Sequence, residues 1–203
     1  RAFCRFPSSE QMSPGPHRMD ARLFTLPRKE TSRRASVHCS GSAAIRIAKH
    51  IGATVIATAS TDEKLEAARA LGADHGINYT EEDFVLGVRE VAGKAGVDVV
   101  FEHVGGEVFE RSLRCLGWGG RLVTCGATTG IDAKVNLRHL FFKGQSILGS
   151  TMGSRAEFAE IVRLHGEGAL DPLIDRVLPL EEIAQGHETL ETRAAIGKVV
   201  MTP

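Results

Sequence analysis

The 203-residue sequence lacks the features that most directly announce a partner. It has no net charge, with 25 Lys and Arg against 25 Asp and Glu, so no global field draws it to nucleic acid or to an anionic membrane. No apolar run approaches the ~18 residues of a membrane helix. The four cysteines, Cys4, Cys39, Cys115 and Cys125, form no CxxC pair and no regular framework. That excludes a disulfide scaffold and predicts reduced thiols in a cytoplasmic protein. The opening "RAFCRFPSSEQ" has no apolar core of the secretory kind. Zinc needs three or four converging ligands, and His38–Cys39 is the only adjacent pair of histidine and cysteine, so no metal is expected.

What is present is unevenly spread. Residues 1–40 carry eight Lys and Arg against three Asp and Glu, and four of the seven prolines. They hold no sustained period of 2 or 3.6 and are expected to be an irregular, disordered or non-native segment. The basic residues are too sparse for a nucleic-acid arm. From Gly41 the pattern changes. Ala44, Ile47, Ala48 and Ile51 mark one helical face, and "TVIATA" is a short β-branched strand. Ser60 and Glu63 suggest a capping box opening the helix of "STDEKLEAARALG". "HGINY", "VDVVFEH", "GGRLVTCG" and "QSILGS" read as strands, with helices in "EEDFVLGVREVAG" and "EVFERSLRCLG". "SRAEFAEIVRLHGEG" opens on a capping box at Ser154 and Glu157, and "LEEIAQGHETLE" with "IGKVVMTP" gives a last helix and strand.

Apolar strands alternating with helices predict an α/β fold, a doubly wound, Rossmann-like parallel sheet over residues 41–178. Residues 179–203 form a closing helix and strand. Ligands of such sheets bind beyond the carboxyl ends of the strands. The loops after Ala59, Tyr79, His103, Cys125 and Ser150 are therefore the candidate site.

The stretches "GSAAIRIAKHIGATVIATASTDEKLEAARALGADHGINY", "GVDVVFEHVGG", "GGRLVTCGATTG", "ILGSTMGS" and "GKVVMTP" resemble the medium-chain dehydrogenase/reductase family, in its zinc-type alcohol dehydrogenase and quinone oxidoreductase branches. The resemblance covers about four-fifths of the chain. It implies an oxidoreductase that uses NADP, with NAD as the alternative, to move hydride to or from a carbonyl or activated alkene. It also implies an N-terminal catalytic domain of well over a hundred residues, where this sequence has 40 that do not resemble it. The chain thus reads as the cofactor-binding part, apparently truncated, and inactive by itself. A non-enzymatic remnant with weak or no nucleotide binding is the alternative.

By the same resemblance, the first strand and a glycine turn should end at Gly41. "ETSRRASVHC" lacks buried-strand character, and Val37 and Cys39 stand where glycines belong. Strand and turn are therefore expected to be defective, exposing the edge of "TVIATA" and favouring self-association. Gly41 and Ser42 would keep the helix N-terminus for the pyrophosphate. Ser60, Lys64 and Tyr79 would hold the 2′-phosphate of NADPH; their other readings are helix cap, solvated charge and edge packing. Asp62 and Glu63 beside them leave NAD open. Val104, Gly105, Gly126 and Ala127 would line the adenine, ribose and nicotinamide, or serve tight turns. Gly149, Ser150 and Thr151 match the loop beside the carboxamide. His103 is either a polar group near the nicotinamide or a satisfied strand end, and no catalytic residue is assigned. A substrate would bind only with a catalytic domain supplied.

Overall fold

The structure, a computed structural model, describes residues 2–6, 31–35, 39–192 and 194–203. Strands β1 (Ala2–Phe6) and β2 (Thr31–Ala35) open it, followed by helix α1 (Cys39–His50). Alternation then runs as the periodicity predicts, through β3 (Thr54–Ala59), α2 (Asp62–Ala70), β4 (His75–Asn78), α3 (Phe84–Ala92), β5 (Val97–Glu102), α4 (Gly106–Leu113) and β6 (Leu116–Thr124). Helix α5 (Leu137–Phe142), β7 (Ser146–Gly149) and α6 (Arg155–Gly166) come next. The chain closes with β8 (Ile174–Pro179), α7 (Ile183–Glu191) and β9 (Lys198–Thr202). The sequence reading passed over α5 and β8. The first is six residues long, too short for its period to register, and the second is interrupted by Asp175 and Arg176.

Seven strands form one sheet in the order β4-β3-β1-β2-β5-β6-β7, with β1 also pairing directly to β5. The pairs β3–β4, β5–β6 and β6–β7 are parallel. Consecutive strand residues divide between two cores, which shows both faces of the sheet covered. Cys4, Val55, Ala57, Val99 and Val123 join Ile45 and Ala48 of α1 and Ala68 of α2. Phe3, Ile56, Val100 and Leu122 join Phe84 and Val88 of α3 and Phe109 of α4. This is the doubly wound arrangement.

Two expectations are corrected here. Residues 1–40 are not irregular throughout, because Ala2–Phe6 and Thr31–Ala35 are strands inside the sheet. The first strand, expected to be defective, does pair: β2 runs parallel to β5 through Arg34 and Val100. The physical reason lies in β1, which runs antiparallel to β2 from Ala2–Ala35 to Phe6–Thr31 and brings Phe3 and Cys4 into the two cores. It supplies the apolar character that "TSRRA" lacks, and it makes the sheet mixed rather than wholly parallel. β1 also pairs with β3 at Arg5 and Thr54. Val37, and the rest of 7–30 and 36–38, lie outside the described residues.

Strands β8 and β9 make a separate two-stranded parallel sheet, in which β8 (Ile174–Pro179) comes before the closing helix. Asp175 ties it together, accepting from the Ile196 N–H at 2.8 Å and from Arg176 Nε at 2.6 Å. The Ile196 bond first, and the Arg176 partner second, hold the Asp175 carboxyl below its ordinary value of 3.8. A depressed carboxylate contributes stability above its unfolded pKa and loses it as pH falls through the folded one. The denaturation midpoint of the wild type is therefore expected to fall below about pH 4 more steeply than that of Asp175→Asn. Parallel pH profiles for the two proteins would contradict this role.

Candidate functional site

The strand registers align the carboxyl ends in two groups. Ala59 pairs with Asn78, while Glu102 pairs with Thr124 and Thr124 with Gly149. The residues just beyond inherit this alignment. The Tyr79 N–H donates to Ala59 O at 3.0 Å, Cys125 N–H to Glu102 O at 3.2 Å, and Ser150 N–H to Thr124 O at 2.8 Å. Ser60 and Tyr79 thus stand together on one side of the edge. His103 to Gly105, Cys125 to Ala127, and Ser150 with Thr151 stand together on the other.

On the first side, helix α2 is capped by Thr61, whose hydroxyl accepts from Lys64 N–H at 3.3 Å. The expected cap, Ser60, is one residue too early, because the helix starts at Asp62 rather than Thr61. The Ser60 hydroxyl is thereby not used as the helix cap. Asn78 Nδ2 donates to Asp62 Oδ1 at 3.2 Å, and Thr80 Oγ1 donates to Asn78 Oδ1 at 2.7 Å, which knits the two strand ends. Asp62 is engaged in this lattice. Ser60 and Lys64 are half-buried and Tyr79 is exposed.

On the second side, two loops are joined backbone to backbone. Thr128 donates to His103 O from its N–H at 3.4 Å and its hydroxyl at 3.2 Å. Thr129 donates to Val104 O from the same two groups at 2.8 and 3.1 Å, and Gly105 bridges Gly130. Gly105 sits at φ +82°, and a Cβ there would enter the Gly130 carbonyl oxygen. At Gly126 a Cβ would come within 3.0 Å of His103 O. The tight-turn reading therefore accounts for both glycines by itself. Gly149 is different, since a Cβ there would meet nothing within 4 Å. No contact of the described fold requires glycine at that position. Ala127 and Thr151 are exposed, while His103, Val104 and Ser150 are half-buried.

Sequence reasoning passed over Glu102. It is fully buried, and its carboxylate accepts from Val104 N–H at 2.7 Å and Gly105 N–H at 3.1 Å. The available signal was a carboxylate following the apolar run Val99–Phe101 in "VDVVFEH". Burial first, and the Glu102 charge second, push the neighbouring Cys125 thiol up.

Gly41 and Ser42 lie at the start of a helix. Helix α1 begins two residues before Gly41, at Cys39, and both residues are buried in its first turn. Ser42 lines a cavity of about 270 Å³ between α1 and α6, together with Arg46, Ile47 and Ile161. Among the described residues no group of three His, Cys, Asp or Glu is placed to hold a metal ion, and no helix is long and apolar enough to cross a membrane.

A doubly wound sheet with small residues gathered at the carboxyl edge of its strands defines a Rossmann-like domain. Residues 40–167 match the family model of the zinc-binding dehydrogenases, and the chain belongs to that family. It is 36% identical over 166 residues to the 2-haloacrylate reductase of a Burkholderia species, covering 77% of this chain and 50% of that protein. It is 34% identical to quinone oxidoreductase 1 of Escherichia coli K12, over 80% of this chain and 53% of the relative. Among solved structures, an NAD-dependent alcohol dehydrogenase superposes with a TM-score of 0.77 at 42% identity, covering 84% of this chain and 50% of that one. The resemblance to medium-chain dehydrogenases and reductases is thus borne out. The chain spans about half the length of these relatives.

Proposed function

We propose that this chain is the cofactor-binding portion of an oxidoreductase that takes NADPH and moves hydride to or from a carbonyl or activated alkene. The observation carrying it is the alignment of strand ends, which sets Ser60 and Tyr79 on one side of the edge and the β5, β6 and β7 loops on the other. The relatives named for quinone and haloacrylate reduction support the reaction class, and a crotonyl-CoA carboxylase/reductase solved with NADP supports the cofactor. The nicotinamide supplies the hydride when bound, and the protein supplies binding and orientation. Ser60, Lys64 and Tyr79 hold the 2′-phosphate. Val104, Gly105, Gly126, Ala127, Gly149, Ser150 and Thr151 line the rest, and Gly41 and Ser42 contribute only the backbone of the α1 N-terminus. Groups that bind the substrate come from a catalytic domain, so this chain alone has no reductase activity.

Titration with NADPH and NADH tests the reading. A charge-assisted contact to phosphate is worth ~1.5–3 kcal/mol. Lys64→Ala is therefore expected to weaken NADPH roughly tenfold or more and to leave NADH unchanged. Equal losses for the two would remove Lys64 from the phosphate site. A folded wild-type chain that binds neither would make it a non-enzymatic module.

A further inference from the structure

Glu102 is buried at 0% exposure at the end of β5, and none of the ion pairs among the described residues reaches it. A carboxylate is costly to bury unless hydrogen bonds replace its water. The bonds found here come from the turn that follows the strand. Oε1 accepts from Val104 N–H at 2.7 Å and from Gly105 N–H at 3.3 Å, and Oε2 accepts from Gly105 N–H at 3.1 Å. The same turn is held from outside through its carbonyls, His103 O by Thr128 and Val104 O by Thr129. Gly105 and Gly106 follow at φ +82° and +53°, and α4 begins. The turn is thus held by its amides on the inside and by its carbonyls on the outside.

We propose that Glu102 is a positioning residue for the nucleotide site. Its carboxylate draws the Val104 and Gly105 amides inward and sets the turn against which the nucleotide lies. The proposal rests on the reading of this edge as a nicotinamide nucleotide site. It assigns that turn a defined chemistry. With both amides committed to Glu102, and a negative charge beneath them, neither Val104 N–H nor Gly105 N–H is offered to a phosphate. It offers the half-buried Val104 side chain, which suits an uncharged base or sugar. The anionic groups of the ligand are left to the Lys64 side of the edge.

The test uses the full 203-residue chain as wild type, Glu102→Gln and Glu102→Ala. Amide hydrogen exchange at Val104 and Gly105 is expected to speed up about tenfold or more in Glu102→Ala, with the β5–β6 ladder unchanged. Glu102→Gln keeps the shape and one accepting oxygen, so it folds as the wild type does and gives an intermediate exchange rate. NADPH and NADH are both expected to weaken about tenfold in Glu102→Ala, unlike the NADPH-only loss at Lys64→Ala. A merely structural role would leave nucleotide affinity unchanged, and a third readout checks the local electrostatics. Removing the Glu102 charge in Glu102→Gln lowers the pH at which Cys125 becomes reactive toward a thiol reagent. Unchanged exchange at Val104 and Gly105, or faster exchange with unchanged nucleotide affinity, overturns the proposal. A wild type that binds neither nucleotide overturns the edge reading beneath it, and the exchange and thiol data then show that the local geometry was correct and its purpose was not.

Discussion

Phe3→Ala is expected to destabilise the chain by about 3–5 kcal/mol, the usual cost of truncating a fully buried phenylalanine. The side chain is 0% exposed and joins Ile56, Val88, Val100 and Leu122 in one core, with its ring centroid 6.4 Å from that of Phe84. Because β1 pairs with β2, β3 and β5, Phe3 sits where the two halves of the sheet meet. Domains of this size are stable by about 5–15 kcal/mol, so this one side chain carries a large share of the total. Urea denaturation of the two proteins measures the difference. A loss below about 1 kcal/mol would show that β1 is not a working part of the core and that the folded unit begins near Gly41. Limited proteolysis gives a second readout, with Ala2–Phe6 expected to be protected as well as β3.

β1 also shows where legibility in the sequence stopped. "TVIATA" was readable to its exact ends because its β-branched and small residues are buried on both faces. The Ser154–Glu157 box was readable because both of its bonds are local. β1 has two core residues in a basic, proline-rich stretch, and its partners lie 25 to 99 residues away, at Thr31–Ala35, Thr54 and Val99–Phe101. No local period records such pairings. The cap of α2 was misread for a smaller reason. Ser60 and Thr61 both offer a hydroxyl, and Glu63 completes a box only with Ser60, yet the helix starts one residue later. In the site, loops after parallel strands were readable because the fold dictates their edge. Glu102 was not, since nothing in "VDVVFEH" says that the turn's own amides would satisfy a buried charge.

The two glycines that frame the second half of the edge separate structural need from ligand need. Gly105→Ala places a methyl group at φ +82°, inside the Gly130 carbonyl oxygen and 3.1 Å from Ala127 Cα. Those atoms are backbone, so no flexible side chain can give way. Left-handed strain and overpacking cost about 1–3 kcal/mol each, and a stability loss of about 2–4 kcal/mol is expected. The strain is relieved by parting the loops that the Thr128 and Thr129 bonds hold together. Binding must then close them again, which is expected to weaken NADPH and NADH alike by about 30- to 100-fold. At Gly149 an added methyl group meets nothing within 4 Å. Gly149→Ala should therefore leave stability within about 0.5 kcal/mol of wild type, so any fall in nucleotide affinity there measures the approach of the ligand itself. Thermal denaturation and nucleotide titration of both variants decide the matter. If Gly105→Ala is as stable as Gly149→Ala, the two loops are not in contact as described. If neither variant loses affinity while the wild type binds, the nucleotide lies elsewhere on the chain.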